Sequence, residues 1–203
     1  MKNHARLAAA LVALIVFIAL GMQLIVSYKL TGSSGAAVWS MLSFFTVLTN
    51  FLVLVSYAKM ALTGRMLSAF WLAALTIWIL IVGAVYHLLL AKLWAPVGLE
   101  WWANQGMHSA SPVATFLWWI SYAPKRPMPW RNAALFLIWP LLYFSYALIR
   151  GSFTHTYPYP FIDLNVLTIG QLAVNAIGFL FAFCIGGLAI IAIARACTKR
   201  SNS

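Results

Sequence analysis

Six apolar runs, each about as long as a helix needs to cross a bilayer, leave this chain of 203 residues little choice of fold class. They cover roughly residues 7–28, 36–57, 67–90, 104–122, 133–149 and 166–194, with short polar or basic breaks between them. Hydrophobic residues make up 64% of the chain and charged residues 7%, where a soluble domain carries about a quarter charged. The pattern predicts an all-α fold: one integral membrane domain over residues 1–203, a bundle of six transmembrane helices. Arg6 followed by an apolar run has the look of a signal peptide. The run is too long for such a segment, and no small-x-small site closes it. It reads as an uncleaved first span.

The formal net charge is +11, with only two acids, Glu100 and Asp163. In a soluble chain that balance would suggest nucleic acid; here the basic residues sort by side. Lys2, Arg6, Lys59, Arg65, Lys125, Arg126, Arg131, Arg195, Lys199 and Arg200 fall on one side of a six-span bundle. Lys29, Lys92 and Arg150 fall on the other. Cytoplasmic loops carry the excess of Lys and Arg, so both termini are expected in the cytoplasm. The basic loops are expected to meet anionic lipid headgroups rather than nucleic acid. Trp94, Trp101 and Trp102 suit the opposite membrane interface. Cys184 and Cys197 lie thirteen residues apart on the last helix and cannot pair with each other.

Polar side chains inside the apolar runs mark where chemistry is to be sought, because at membrane depth they face protein or water. Ser43, Thr46 and Asn50 stack at helical spacing in the second run, flanked by Thr49. His87 closes the third run and His108 opens the fourth; Asn104 stands one turn before His108 and Pro112 one turn after. Pro112 has no N–H for the carbonyl of His108, so that carbonyl is freed and the helix should bend there. A histidine ring brought to the Thr46 hydroxyl would make the minimum of an activated alcohol nucleophile. Thr168, Gln171, Asn175 and Gly178 form a second stripe, expected to face the bundle interior. Asn50 and Asn175 are either oxyanion donors or partners for each other. Asp163 either caps the last helix or serves the site. Each of these residues also has a structural reading, since hydroxyls and amides in apolar helices commonly bond backbone or a neighbouring helix.

Three short stretches resemble the androgen-induced/ADTRP-like family, multi-span threonine hydrolases that cleave fatty acid esters of hydroxy fatty acids. They are Phe44-Phe45-Thr46, Asn104-Gln105-Gly106-Met107-His108-Ser109 and Tyr159-Pro160-Phe161-Ile162-Asp163. The chain resembles still more that family's bacterial six-helix relatives, the Pr-six-Pr membrane proteins. Phe45-Thr46-Val47-Leu48-Thr49-Asn50, Val85-Tyr86-His87-Leu88 and Tyr157-Pro158-Tyr159-Pro160-Phe161-Ile162-Asp163 carry that likeness. The resemblance implies Thr46 as nucleophile and His108 as base of a lipid ester hydrolase. Asn50, His87, Asn104 and Asn175 would stand around substrate and oxyanion, and Asp163 would orient a histidine. It further implies a bacterial inner membrane, a lipid acyl ester as substrate and no cofactor. The sorting of basic residues, not the resemblance, puts Glu100, Asp163, His87, His108 and His155 in the non-cytoplasmic half, so the site is expected to open on that side.

Three other readings stay open on the residues alone. His87 and His108 could ligate a b-type haem. His87, His108, His155 and Asp163 could hold zinc, though no two share a helix turn. A non-catalytic lipid-binding or transport module would keep the polar stripes without the chemistry.

Overall fold

The computed structural model describes residues 1–93 and 95–201, with side chains of the last helix described to Thr198. Trp94, and the side chains of Lys199 and Arg200, therefore lie outside the described residues. Among the described residues the chain is helical, without a strand. The helices are α1 (Asn3–Thr31), α2 (Ser34–Met41), α3 (Phe45–Thr63), α4 (Ala69–Val85), α5 (Gly98–Gln105), α6 (Ser111–Tyr122), α7 (Asn132–Leu135), α8 (Ile138–Thr154) and α9 (Ile169–Ser201). Two π-turns, Tyr86–Leu90 and Gly106–Ala110, extend α4 and join α5 to α6. A 3₁₀ turn, Pro160–Ile162, precedes α9. Five helical segments are long and apolar enough to cross a membrane: Asn3–Thr31, Phe45–Thr63, Ala69–Leu90, Asn132–Thr154 and Ile169–Thr198. The predicted fourth run falls on α5, its π-turn and α6.

The second apolar run is not one helix. It breaks at Leu42–Phe44, and the spanning helix begins at Phe45 and continues past residue 57 to Thr63. At the break the Ser43 hydroxyl donates back to Ser40 O, and Phe44 adopts an extended backbone (φ −96°, ψ 128°). Side chains of α8 supply donors for the carbonyls that α2 leaves open. Tyr143 Oη donates to Ser43 O at 2.7 Å, Tyr146 Oη to Leu42 O at 3.1 Å, and Arg150 Nη2 to Trp39 O at 2.6 Å. Ser43 thus leaves the stripe predicted for it. Thr46 sits in the first turn of α3 rather than at mid-helix. Gly64 ends α3 in the left-handed region (φ 67°), its N–H on Met60 O.

Small residues set the closest packing. Ala5, Ala9, Ala13, Val16 and Ala19 are buried along one face of α1, where short side chains let helix backbones approach. Thr46, Asn50, Val53, Tyr57 and Met60 form the buried face of α3. Centrally, α4 is buried on nearly every side between Leu72 and Ile79. Tryptophans pin helices together through their indole N–H: buried Trp78 to Phe136 O (2.7 Å) and Trp118 to Ala5 O (3.0 Å), and partly buried Trp139 to Thr49 Oγ1 (3.1 Å).

Part of the positive charge is spent on helix ends. Lys125 Nζ donates to the carbonyls of Trp119, Ile120 and Ala123 at the end of α6, and its ammonium sits over the Trp119 ring. This is the terminus where a helix dipole favours a cation. Its partial burial pushes the Lys125 pKa down. Arg6 closes the end of α3 in the same way, through Leu62 O at 3.0 Å.

Candidate functional site

The break before α3 is what makes Thr46 unusual. The first turn of a helix leaves its N–H groups without intrahelical acceptors, and the first backbone bond into α3 is Leu48 N–H to Phe44 O. Thr46 therefore carries both a hydroxyl and an open amide at one place. Its amide donates to Tyr159 Oη at 3.4 Å. Its Oγ1 lies 3.4 Å from the same phenol and 3.2 Å from His108 Nε2. Thr46 is buried, 7% exposed.

His108 comes from the π-turn 106–110, whose wider winding lies directly ahead of Pro112. A bend was expected where Pro112 frees the His108 carbonyl, and a π-turn is the form it takes. Gly83 of α4 packs on that carbonyl: a Cβ at Gly83 would lie 2.9 Å from His108 O. The ring is fixed from three directions. Tyr86, from the other π-turn, stacks on it with centroids 4.2 Å apart and planes 25° apart. Nδ1 faces Asn104 O at 3.0 Å. A carbonyl only accepts, so Nδ1 carries the proton and Nε2 presents its lone pair to Thr46. The Thr46 hydroxyl donates to Nε2: a hydroxyl on a neutral imidazole, with a third group orienting the ring, which is the geometry an activated alcohol would require. That third group is the backbone carbonyl of Asn104.

The remaining predicted residues disperse. Asn50 is fully buried, and its Nδ2 donates to Thr46 O (2.9 Å) and Met107 O (3.3 Å). It thus clamps α3 to the histidine's turn, with its donors spent on backbone. Asn104 Oδ1 and Asn50 Oδ1 are buried without a hydrogen-bond partner among the described residues; as acceptors, neither is suited to an oxyanion. Asn175 Nδ2 donates to Phe161 O at 3.0 Å and holds the 3₁₀ turn, away from Asn50. His87 is exposed, and its Nε2 lies 2.9 Å from Ser109 Oγ. That hydroxyl gives its own proton to Gln105 Oε1, so His87 Nε2 is the donor there. Asp163 accepts the Asn165 N–H at 2.9 Å, and no hydrogen bond or ion pair joins it to a histidine among the described residues. It does not cap α9 either: Thr168 and Gln171 do, as a reciprocal capping box. Both are exposed, so of the second stripe only Asn175 turns partly inward. His155 ends α8 with a left-handed backbone (φ 53°) and is exposed.

These placements bear on the metal readings. Both ring nitrogens of His108 face protein atoms, leaving none directed at a haem iron. His87, His108, His155 and Asp163 do not gather, and among the described residues no group of three His, Cys, Asp or Glu could hold a metal.

Beside Thr46 lies a cavity of about 190 Å³. Ile81, Val82, Val85 and Leu90 close it on the α4 side, Pro140, Leu141 and Phe144 on the α8 side, and Ala176, Phe179, Leu180 and Phe183 on the α9 side. Thr46, Tyr143 and Tyr159 bring the hydroxyl groups to its wall, and among the described residues no charged side chain lines it. Leu141 is 44% exposed, which puts the outer edge of the cavity at the α8 surface.

Tyr159, Tyr86 and Gly83 are site residues that sequence reasoning passed over. Tyr159 and Tyr86 stood inside quoted motifs without a role, and the pair of prolines at 158 and 160 around Tyr159 was the available signal. Gly83 carried none. No family profile, curated protein or solved structure matches this chain.

Proposed function

We propose that this protein is an intramembrane lipid ester hydrolase with Thr46 as nucleophile and His108 as general base. One observation carries the reading: Thr46 Oγ1 lies 3.2 Å from a His108 Nε2 whose partner nitrogen is held by Asn104 O. His108 takes the hydroxyl proton as Oγ attacks the ester carbonyl. The tetrahedral intermediate then expels the alcohol, which takes that proton back, and the acyl group remains on Thr46. Water, deprotonated by the same ring, attacks the acyl-threonine and releases the carboxylic acid and free Thr46.

The apolar cavity favours an uncharged acyl chain as the part of the substrate it takes, with entry sideways from the bilayer between α8 and α9. In this reading α5, its π-turn and α6 form a sixth span, and the basic residues put both termini in the cytoplasm. The site then opens toward the non-cytoplasmic leaflet of a bacterial inner membrane. The cytoplasmic basic loops meet anionic headgroups, and nucleic acid has no part.

The test is covalent. A phosphonate probe for serine and threonine hydrolases, followed by peptide mass spectrometry, is expected to modify Thr46 in the wild type and to spare Thr46→Ala and His108→Ala. Equal labelling of wild type and Thr46→Ala, or none anywhere, refutes the hydrolase and leaves a lipid-binding module.

A further inference from the structure

Acyl transfer needs donors aimed at the oxygen on which charge develops, and the side-chain amides of Asn50 and Asn175 are spent on backbone carbonyls. We propose that the Tyr159 phenol, with the Thr46 amide N–H beside it, is the oxyanion donor of this site. The inference rests on the hydrolase reading above.

Proton bookkeeping leads to the phenol. The Thr46 hydroxyl gives its hydrogen to His108 Nε2 and the Thr46 amide gives its own to Tyr159 Oη. The phenol hydrogen is then the remaining donor facing Thr46 Oγ1, 3.4 Å away. When Oγ bonds the acyl carbon, the carbonyl oxygen becomes an alkoxide one atom from Oγ. The phenol and the amide both turn to it, and no proton changes owner. Tyr159 lines the cavity that takes the acyl chain and His108 does not. The two therefore approach the reacting carbon from different sides, one toward the forming charge and the other toward the leaving proton.

Preorganisation is what makes such a donor effective, and the phenol is held on all sides. Its ring stacks on Phe161 at 5.0 Å with planes 8° apart, and meets Phe44 and Tyr143 edge-on at 6.0 and 6.4 Å. The turn that carries it is tied to α9 by Asn175 through Phe161 O, and to the end of α8 by Asn165 through His155 O. Tyr159 itself is 9% exposed.

Tyr159→Phe keeps the stacking and removes only the O–H. The readouts are the second-order labelling rate with the phosphonate probe, kcat and KM on a neutral 4-nitrophenyl acyl ester, and the melting temperature in detergent. The expected result is a loss of about 10²–10³-fold in kcat and in labelling rate, with KM and melting temperature near wild type. Tyr157→Phe, which removes a nearby phenol that does not line the cavity, should label within a few-fold of wild type. If wild type labels at Thr46 and Tyr159→Phe labels equally fast, the oxyanion role is refuted while the hydrolase stands. If wild type does not label, the hydrolase reading has failed and this one with it. Should Tyr159→Phe unfold, site-specific replacement of Tyr159 by 3-fluorotyrosine keeps the ring and strengthens the donor. The rate should then rise, and an unchanged or lower rate overturns the proposal.

Discussion

Gly83→Ala tests the packing of the site without touching any reacting atom. A Cβ at residue 83 would stand 2.9 Å from His108 O, 3.2 Å from Pro112 Cγ and 3.4 Å from Pro112 Cβ. A relaxed carbon–oxygen contact is about 3.3–3.6 Å, so α4 and the histidine's π-turn must separate by roughly half an ångström. The obstacle is a backbone carbonyl and a proline ring, neither of which can swing aside as a flexible side chain would. Overpacking of this kind costs about 1–3 kcal/mol, and the gain from replacing helical Gly by Ala offsets up to about 1 kcal/mol of it. Gly178→Ala isolates the two effects. Gly178 is also helical, and nothing lies within 4 Å of its added Cβ, so it should keep the gain without the clash. Thermal melts in one detergent are therefore expected to place Gly83→Ala below wild type and Gly178→Ala at or above it. The function follows the same displacement. A 3.2 Å contact between Thr46 Oγ1 and His108 Nε2 has little slack before hydrogen-bond reach is lost. A misplacement near 1 Å can cost about 10²-fold, so half of that should slow probe labelling of Thr46 by about tenfold. Equal melting temperatures for the two variants, with wild-type labelling in Gly83→Ala, would refute the claim that this glycine seats the histidine.

Two further outcomes follow from the hydrogen bonds. Tyr143→Phe removes the 2.7 Å bond to Ser43 O that helps hold the break before α3, and should cost about 1 kcal/mol in a detergent melt. An unchanged melting temperature would show that the break is set without it. Asp163→Asn should leave probe labelling of Thr46 near wild type, because Asp163 engages the Asn165 amide and no histidine; a loss of 100-fold or more would return the aspartate to the site.

Helical class, apolar runs and the residues worth watching were legible in the sequence because composition and period are local properties. A run of twenty apolar residues has few ways to satisfy its backbone other than a helix, and Pro112 frees the carbonyl one turn back whatever packs around it. The same locality explains the failures. The stripe Ser43-Thr46-Asn50 assumed a continuous helix, and nothing within residues 36–57 alone announces the break. Its donors come from Tyr143, Tyr146 and Arg150, about a hundred residues away. Tertiary structure also reassigned the amides: Asn50 and Asn175 looked like donors waiting for a ligand until backbone carbonyls of other segments claimed them.

The sequence by itself determined that this chain is a set of apolar helices, and it singled out Thr46 and His108 among the polar residues within them. Only the tertiary structure decided that the two atoms are 3.2 Å apart, which nitrogen of the histidine faces the threonine, and that a phenol from the Tyr-Pro-Tyr-Pro-Phe stretch stands beside them. The physical reason is that helix formation depends on neighbours in sequence. A hydrogen-bond network, in contrast, is settled by which donors and acceptors the packed helices leave for one another.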